Sequence, residues 1–236
     1  MNLPQELLDE IFSHIPPHDM ESLKSCSLVS KSWAEPNRRV LFANIRIPLH
    51  AYRSWKDTIS PSNTLLRHAR SLEYFHILAE YTPYPRRPFY TLRDYLPSFS
   101  KLRTLNLCRI TIEPTISDNL ELLSAFQHTL VSLTLSSVLA AWSSFVVFVG
   151  HFPHLRNLEI IGTSLREDDL PIPKTVHAGR GSLSVDVYSA GVLCDRFAGL
   201  KPEYDELRLI GGYDHRLVVA VERSLQSLVL APCDCT

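Results

Sequence analysis

The segment LRTLNL at residues 102–107 has counterparts along most of the chain. Leucine at its fourth and sixth positions, with a polar residue between them, is typical of a half-buried strand, because alternate side chains of a strand point to opposite faces. Six further segments align with it: ARSLEY (69–74), LVSLTL (130–135), LRNLEI (155–160), RGSLSV (180–185), YDELRL (204–209) and LQSLVL (225–230). The sequence therefore predicts seven similar strands.

The fourth positions of these segments recur at steps of 21 to 33 residues; they are Leu72, Leu105, Leu133, Leu158, Leu183, Leu207 and Leu228. SDNLELLSAF (117–126), capped by Ser117 or Asp118, and AAWSSFVVFVGHF (140–152), ended by Gly150 and Pro153, predict return helices between strands. Strands that alternate with helices imply a parallel sheet, and stacked units of this length bury a continuous core. The predicted fold class is α/β, with an irregular solenoid of about seven units over residues 65–236.

The residue after each aligned leucine is predicted to point to the opposite, concave face of the sheet. These residues form a mostly polar row: Glu73, Asn106, Thr134, Glu159, Ser184, Arg208 and Val229. Since solenoids usually bind proteins on such a face, we expect this row to contact a target protein.

Residues 3–42 have a helical period instead. The apolar residues of a first short helix share one broad stripe: Leu7, Leu8, Ile11, Phe12 and Ile15. Pro4 suits the first helical position, and Asp19 suits the N-cap of a second helix that carries Met20 and Leu23. A third apolar cluster begins at SLVSKSW (27–33). Helices this short need tertiary packing, so we expect them to dock on a partner.

The N-terminal region closely resembles an F-box, from the Leu3-Pro4 start to the SLVSKSW end. The resemblance implies that it docks on a Skp-family adaptor, and through it on the cullin and RING subunits of an SCF-type ubiquitin ligase. The residues that it assigns to adaptor binding are Leu3, Pro4, Leu7, Ile11, Ile15, Met20, Leu23, Val29, Ser30, Lys31 and Trp33. Met20 stands where the family usually has leucine, and its flexible side chain should still pack there.

The remainder resembles the divergent leucine-rich repeats that follow many F-boxes, especially in fungal proteins. The asparagine usual in such repeats is replaced in every unit, by Ile77, Ile110, Val138, Thr163, Tyr188, Gly212 and Cys233. We therefore expect no asparagine ladder and an irregular curvature. The predicted domains are an F-box (1–45), a connecting segment (46–64) and repeats (65–236) without a C-terminal cap, which implies an exposed apolar end or a truncated product.

Composition disfavours several classes of partner and cofactor. A net charge of −1 gives no overall attraction to nucleic acid or to anionic membranes. Five scattered cysteines fit a reduced intracellular protein, and the C-x-C pair at Cys233 and Cys235 has no second pair to complete a zinc site. With no signal peptide and no apolar run of membrane-spanning length, we expect a soluble cytoplasmic or nuclear protein that needs no cofactor or metal.

The main prediction is therefore a substrate-recognition adaptor of a ubiquitin ligase that is not itself an enzyme. A protein-interaction scaffold outside any ligase is the alternative. A remote one is a kinase fragment, because DVYSAGVL (186–193) is similar to a stretch of kinase C-terminal lobes, although the glycine-rich loop, H-R-D and D-F-G motifs are missing. In the simpler interpretation, Leu183, Val185 and Val187 form a strand and AGVLCDRF its return.

Two further segments carry open alternatives. YTPYPRRPFY (81–90) is either a ligand for a polyproline-binding domain, a contact loop for an acidic partner, or a long loop of the first unit. GRGS (179–182) precedes a strand and not a helix, which favours a turn over a phosphate-binding loop.

Overall fold

The computed structural model describes the strand-rich part of the 236-residue chain and separate positions near the N-terminus. The described residues are 41–48, 64–75, 87–88, 95–112, 121, 123–166, 181–197, 204–212, 215–221 and 225–232, with Pro4, Leu7, Glu10, Ile11, His14, Ile15, Asp19, Glu21, Ser22 and Ser25. This part of the chain is mixed α/β, with parallel strands and few helices.

Twelve strands are described: β1 (Asn44–Pro48), β2 (Ser71–Phe75), β3 (Arg87–Pro88), β4 (Thr104–Cys108), β5 (Ile110–Ile112), β6 (Ser132–Ser136), β7 (Leu139–Ala141), β8 (Asn157–Ile161), β9 (Ser164–Arg166), β10 (Ser182–Asp186), β11 (Glu206–Ile210) and β12 (Ser227–Ala231). The eight five-residue strands form one parallel sheet in the order β1-β2-β4-β6-β8-β10-β11-β12. The four shorter strands form a second parallel sheet in the order β3-β5-β7-β9. In both sheets the spatial order follows the order along the chain.

The lateral register of the large sheet confirms the predicted alignment of leucines. Leu72 pairs with Leu105, and the same column continues through the next strands to Leu207 and Leu228. From Leu72 to Leu207 every leucine of this column is at most 2% exposed. The column is therefore the middle of the core, and burying each of these side chains stabilises the fold by about 1.5–3 kcal/mol.

Strand β1 extends the sheet beyond the seven predicted strands. Ile45 pairs with Leu72 and Ile47 with Tyr74, and both isoleucines are buried. The strand crosses the boundary that the sequence predicted between the F-box and the connecting segment. Its β-branched core residues replace the leucines of the other strands, which is why the leucine pattern did not include it.

Three strands of the second sheet follow strands of the first after only one or two residues. Arg109, Ser137 and Gly162 each follow a strand of the large sheet and have φ between 54° and 57°, so each turns the chain into β5, β7 or β9. The turns stack, because Arg109 N–H donates to the Ser136 carbonyl at 2.8 Å and Ser137 N–H to the Ile161 carbonyl at 2.6 Å. Left-handed backbone is unfavourable for Arg and Ser, and these stacked hydrogen bonds offset its cost.

The positions where asparagine was expected take two different roles. Ile110, Val138 and Thr163 are fully buried beneath these turns and fill the core. Thr163 Oγ1 also donates to the Leu135 carbonyl at 3.1 Å, while Tyr188 is 63% exposed. Backbone hydrogen bonds and apolar packing thus hold these turns together without a row of asparagines.

Asp186 changes the path of the chain after β10. Its Oδ1 accepts the Ser189 N–H and its Oδ2 accepts the Gly162 N–H, both at 3.0 Å. The carboxylate therefore caps a helix and also replaces the carbonyl that accepts the equivalent N–H in the neighbouring turns. As a result Val187 begins a helix and is 51% exposed, and its predicted place in the strand was wrong.

Three α-helices have described bounds: α1 (Trp142–Gly150), α2 (Val187–Phe197) and α3 (His215–Val221). The return helix predicted to end at Gly150 is confirmed as α1, although β7 takes the first two residues of its predicted range. The return helix predicted over 117–126 is not an α-helix at its described positions, where Glu121 and Leu123 are in 3₁₀ conformation and a turn follows. Two short 3₁₀ helices span Thr64–His68 and Leu96–Ser98.

A row of buried side chains that the sequence analysis missed lies just before the strands. Leu66, Phe99, Phe126 and Phe152 are fully buried, and their carbonyls accept hydrogen bonds from Ala69, Leu102, Leu130 and Leu155. The signal was an F-x-x-L or F-x-x-x-L spacing ahead of three of the strands. Phe152 contacts two other phenylalanine rings, with centroids 5.9 Å from Phe126 and 5.5 Å from Phe148. Within the described residues, no helix is long and apolar enough to cross a membrane.

Candidate protein-interaction surface

Two residues of the predicted adaptor-binding set are helical and unusually exposed for their type. Leu7 and Ile11 are 46% and 38% exposed, one helical turn apart. Pro4 is exposed and Ile15 is half-buried. The other predicted adaptor contacts lie outside the described residues: Leu3, Met20, Leu23, Val29, Ser30, Lys31 and Trp33.

Asp19 begins the second helix as the sequence predicted. Its Oδ1 accepts the Ser22 N–H at 3.1 Å, three residues along the chain. This is the N-cap geometry, and Glu21, Ser22 and Ser25 are helical after it.

The residues predicted to bind a target form one continuous row across the large sheet. We call it the central polar row: Arg46, Glu73, Asn106, Thr134, Glu159, Ser184, Arg208 and Val229, which are paired side by side in register. Every member is half-buried or exposed, while the residues on either side of it along each strand from β4 to β11 are buried. The row is thus accessible, as strand alternation predicted. The sequence analysis missed Arg46 because it missed β1.

Hydrogen bonds fix the direction of several side chains in this row. Arg46 forms a bidentate ion pair with Glu73, with 2.7 Å between Nε and Oε2 and 3.1 Å between Nη2 and Oε1. Thr134 Oγ1 donates to Glu159 Oε2 at 3.1 Å. Asn106 Oδ1 is buried and has no hydrogen-bond partner in the described part of the chain. An unpaired buried acceptor is costly, so Asn106 is a polar position of the row that the described residues leave unsatisfied.

The last strand exposes side chains that are buried on its neighbour. Leu228 and Leu230 are 42% and 60% exposed, whereas their register partners Leu207 and Leu209 are at most 1% exposed. Among the described strands, β12 is hydrogen-bonded to β11 along one edge. The leucine column therefore reaches β12 with exposed apolar side chains at Leu228 and Leu230.

Burial shifts the pKa of two titratable groups near the sheet, Cys108 and His151. Desolvation raises the pKa of the half-buried Cys108 thiol, which Arg109 and a hydrogen bond to Ser136 partly oppose. Desolvation and the nearby His128 lower the pKa of His151, whose Nε2 is buried without a hydrogen-bond partner among the described residues. Among these residues no group of three His, Cys, Asp or Glu side chains could hold a metal ion.

The lowered pKa of His151 predicts a loss of stability in mild acid. The unfolded chain takes up a proton below its pKa of about 6.5 while the folded imidazole resists it, so the free energy of unfolding falls as the pH drops toward the folded value. We expect His151→Gln to reduce the difference in urea midpoint between about pH 7.5 and about pH 5.5. An equal or larger difference in the variant would contradict this prediction.

The N-terminal region matches a known family. Residues 1–47 match the family model described as F-box-like. This supports the F-box resemblance, and F-box domains generally bind Skp-type adaptors, so the match indicates a protein-interaction adaptor. No curated protein sequence matches the chain.

Proposed function

We propose that this protein is the target-recognition subunit of an SCF-type ubiquitin ligase and acts in the cytoplasm or nucleus. The F-box-like match over residues 1–47 carries the proposal. The exposed Leu7 and Ile11 support it, because apolar side chains on a short helix are suited to a partner's groove. The adaptor would connect the chain to cullin and RING subunits.

We infer that the rest of the chain is a solenoid of divergent leucine-rich repeats. Supporting this are parallel strands whose spatial order follows the chain, one buried leucine column, and steps of 21 to 33 residues between its members. A target would lie across the central polar row. The protein itself would be no enzyme, and holding a target lysine near a ubiquitin-charged enzyme would accelerate transfer through effective concentration.

The decisive experiment removes the apolar contacts of the first helix. We expect the double variant Leu7→Asp/Ile11→Asp to lose at least about 100-fold in affinity for a purified Skp-family adaptor, because each side chain contributes about 1.5–3 kcal/mol when buried. Isothermal titration of the full chain against the adaptor measures the loss.

Val219→Asp provides the matched control, since Val219 is a 48% exposed valine on helix α3. It should bind the adaptor like the wild type. Failure of the wild type to bind, or equal binding by the double variant, would refute adaptor docking. Adaptor binding without ubiquitin transfer in a reconstituted ligase would instead favour a scaffold outside the ligase.

A further inference from the structure

The turns that precede four neighbouring strands place basic side chains side by side. The Arg70 carbonyl accepts hydrogen bonds from Arg103 and Thr104, the Arg103 carbonyl from Val131 and Ser132, and the Val131 carbonyl from Arg156 and Asn157, all at 2.7–3.0 Å. Arg70, Arg103, Val131 and Arg156 therefore occupy one stacked row along the edge where β2, β4, β6 and β8 begin.

We name this edge the basic ridge and define it by its exposed arginine and lysine members: Arg67, Arg70, Lys101, Arg103 and Arg156. Among the described residues, no carboxylate forms an ion pair with any of them. The turns that carry them, 66–70, 99–103, 126–131 and 152–156, contain no Asp or Glu. Two exposed histidines, His128 and His154, extend the same surface with ring centroids 6.0 Å apart.

The ridge is a local excess of positive charge on a chain whose net charge is −1. It ends where the row reaches Gly181 and then Asp205, which accept the equivalent hydrogen bonds before β11 and β12. The carboxylates on β2 and β8 are already engaged, since Glu73 pairs with Arg46 and Glu159 accepts from Thr134. A ligand on the ridge therefore meets cations that described side chains do not neutralise.

We propose that the basic ridge binds an Asp- and Glu-rich segment of the target protein. Three strand steps separate Arg70 from Arg156, about 14 Å, which an extended peptide covers in four to five residues. The half-buried side chains of Ser71, Thr104 and Ser132 begin the strands beside it, and Asn157 accepts from Ser182 in the same series at 3.1 Å. The acidic segment would thus lie next to the central polar row, and as a statement about the target this inference rests on the proposed function.

The ridge fits an acidic peptide better than other polyanions. Its five cations and short length fall below the footprint of typical nucleic-acid sites, which contact more phosphates along a longer backbone. The large aromatic side chains of its turns are not available for base stacking, because Phe99, Phe126 and Phe152 are fully buried, and the exposed rings there are the imidazoles of His128 and His154. None of the exposed large apolar residues lies on the ridge to insert into a membrane.

The test uses the purified full chain and fluorescence anisotropy, without the adaptor, so that it succeeds or fails independently of adaptor docking. The probe is a labelled peptide of about twelve residues alternating Glu and Ser, which exceeds the span of the ridge at both ends. We expect binding that weakens as NaCl rises from about 0.05 to about 0.2 M. The triple variant Arg70→Gln/Arg103→Gln/Arg156→Gln should weaken it at least about tenfold.

Two further variants make the test specific to this edge. Val131→Arg completes the row of arginines and should tighten peptide binding several-fold. Arg166→Glu, at the exposed end of β9 in the second sheet, should leave the affinity unchanged. Circular dichroism and melting temperature verify folding of each variant.

Three results would overturn the proposal. They are no binding of the Glu-Ser peptide, equal binding by the folded triple variant or by a Gln-Ser peptide, and tighter binding of an oligothymidylate of the same length than of the acidic peptide.

Discussion

Gly181→Ala should prevent β10 from joining the sheet. A Cβ at this position would overlap the Arg156 carbonyl oxygen and lie 2.7 Å from its carbon. Neither partner can move freely, because the same carbonyl accepts the Ser182 N–H at 2.7 Å and the Gly181 carbonyl accepts the N–H groups of Asp205 and Glu206. We expect a loss of more than about 4 kcal/mol, which lowers the melting temperature by roughly 10 °C or more or leaves the protein insoluble.

Gly150→Ala is the matched control for this experiment. Gly150 is the last residue of α1, and a Cβ there meets nothing within 4 Å. Alanine should be neutral or stabilise the protein by up to about 1 kcal/mol, since glycine loses more conformational freedom on folding. A Gly181→Ala protein that melts within a degree or so of the wild type would show that the two strands approach less closely than described.

Phe152→Ala should produce the second large loss of stability. The side chain is fully buried, stacks on Phe126 and meets Phe148 edge-on. Removing it leaves a cavity that backbone turns on both sides keep open, so we expect about 3–5 kcal/mol of destabilisation in urea unfolding. That is a large part of the about 5–15 kcal/mol that stabilises a typical domain.

Tyr188→Ala tests whether this loss depends on burial. Tyr188 is an aromatic residue of α2 that is 63% exposed. Its truncation should change the free energy of unfolding by less than about 0.5 kcal/mol. Comparable losses in the two variants would mean that Phe152 is not the centre of a packed row.

Periodicity was enough to predict the large sheet because its strands repeat one simple rule. From β2 to β11, each strand of the large sheet repeats a buried leucine followed by an accessible residue. The alternation of side chains along a strand therefore predicted both the core column and the central polar row. The leucine pattern did not predict β1, because Ile45 and Ile47 meet the same requirement for buried apolar side chains without leucine. Burial selects for apolar volume and shape, and only secondarily for one residue type.

The second sheet could not be predicted from the same rule. Its strands are two or three residues long, too short to show a period. Arg109 and Ser137 adopt positive φ where a glycine would have marked the turn. The helix at Val187 depends on Asp186, whose carboxylate accepts one hydrogen bond from the helix and another from a turn 24 residues earlier in the chain. The second of these contacts is tertiary, and a local pattern does not encode it.

The overall composition of the chain did not predict the basic ridge either. The overall charge of −1 excluded a basic protein, yet arginines 33 or more residues apart in sequence become neighbours once the strands stack. The number of residues between successive strands decides which charged side chains become neighbours. An inserted or deleted residue within a turn would break the arginine row without altering the total charge.

Because strand order agrees with chain order, the large sheet could tolerate the duplication of a strand during evolution. Among the described strands of the large sheet, each interior strand is bonded to the strands before and after it in that sheet, so these pairings do not join distant parts of the sequence. Duplication of one strand with its return segment would lengthen the sheet without rethreading it, and each added strand would bring one more position to the central polar row. A sheet built in this way can gain accessible surface at a place where the existing core already supplies the register.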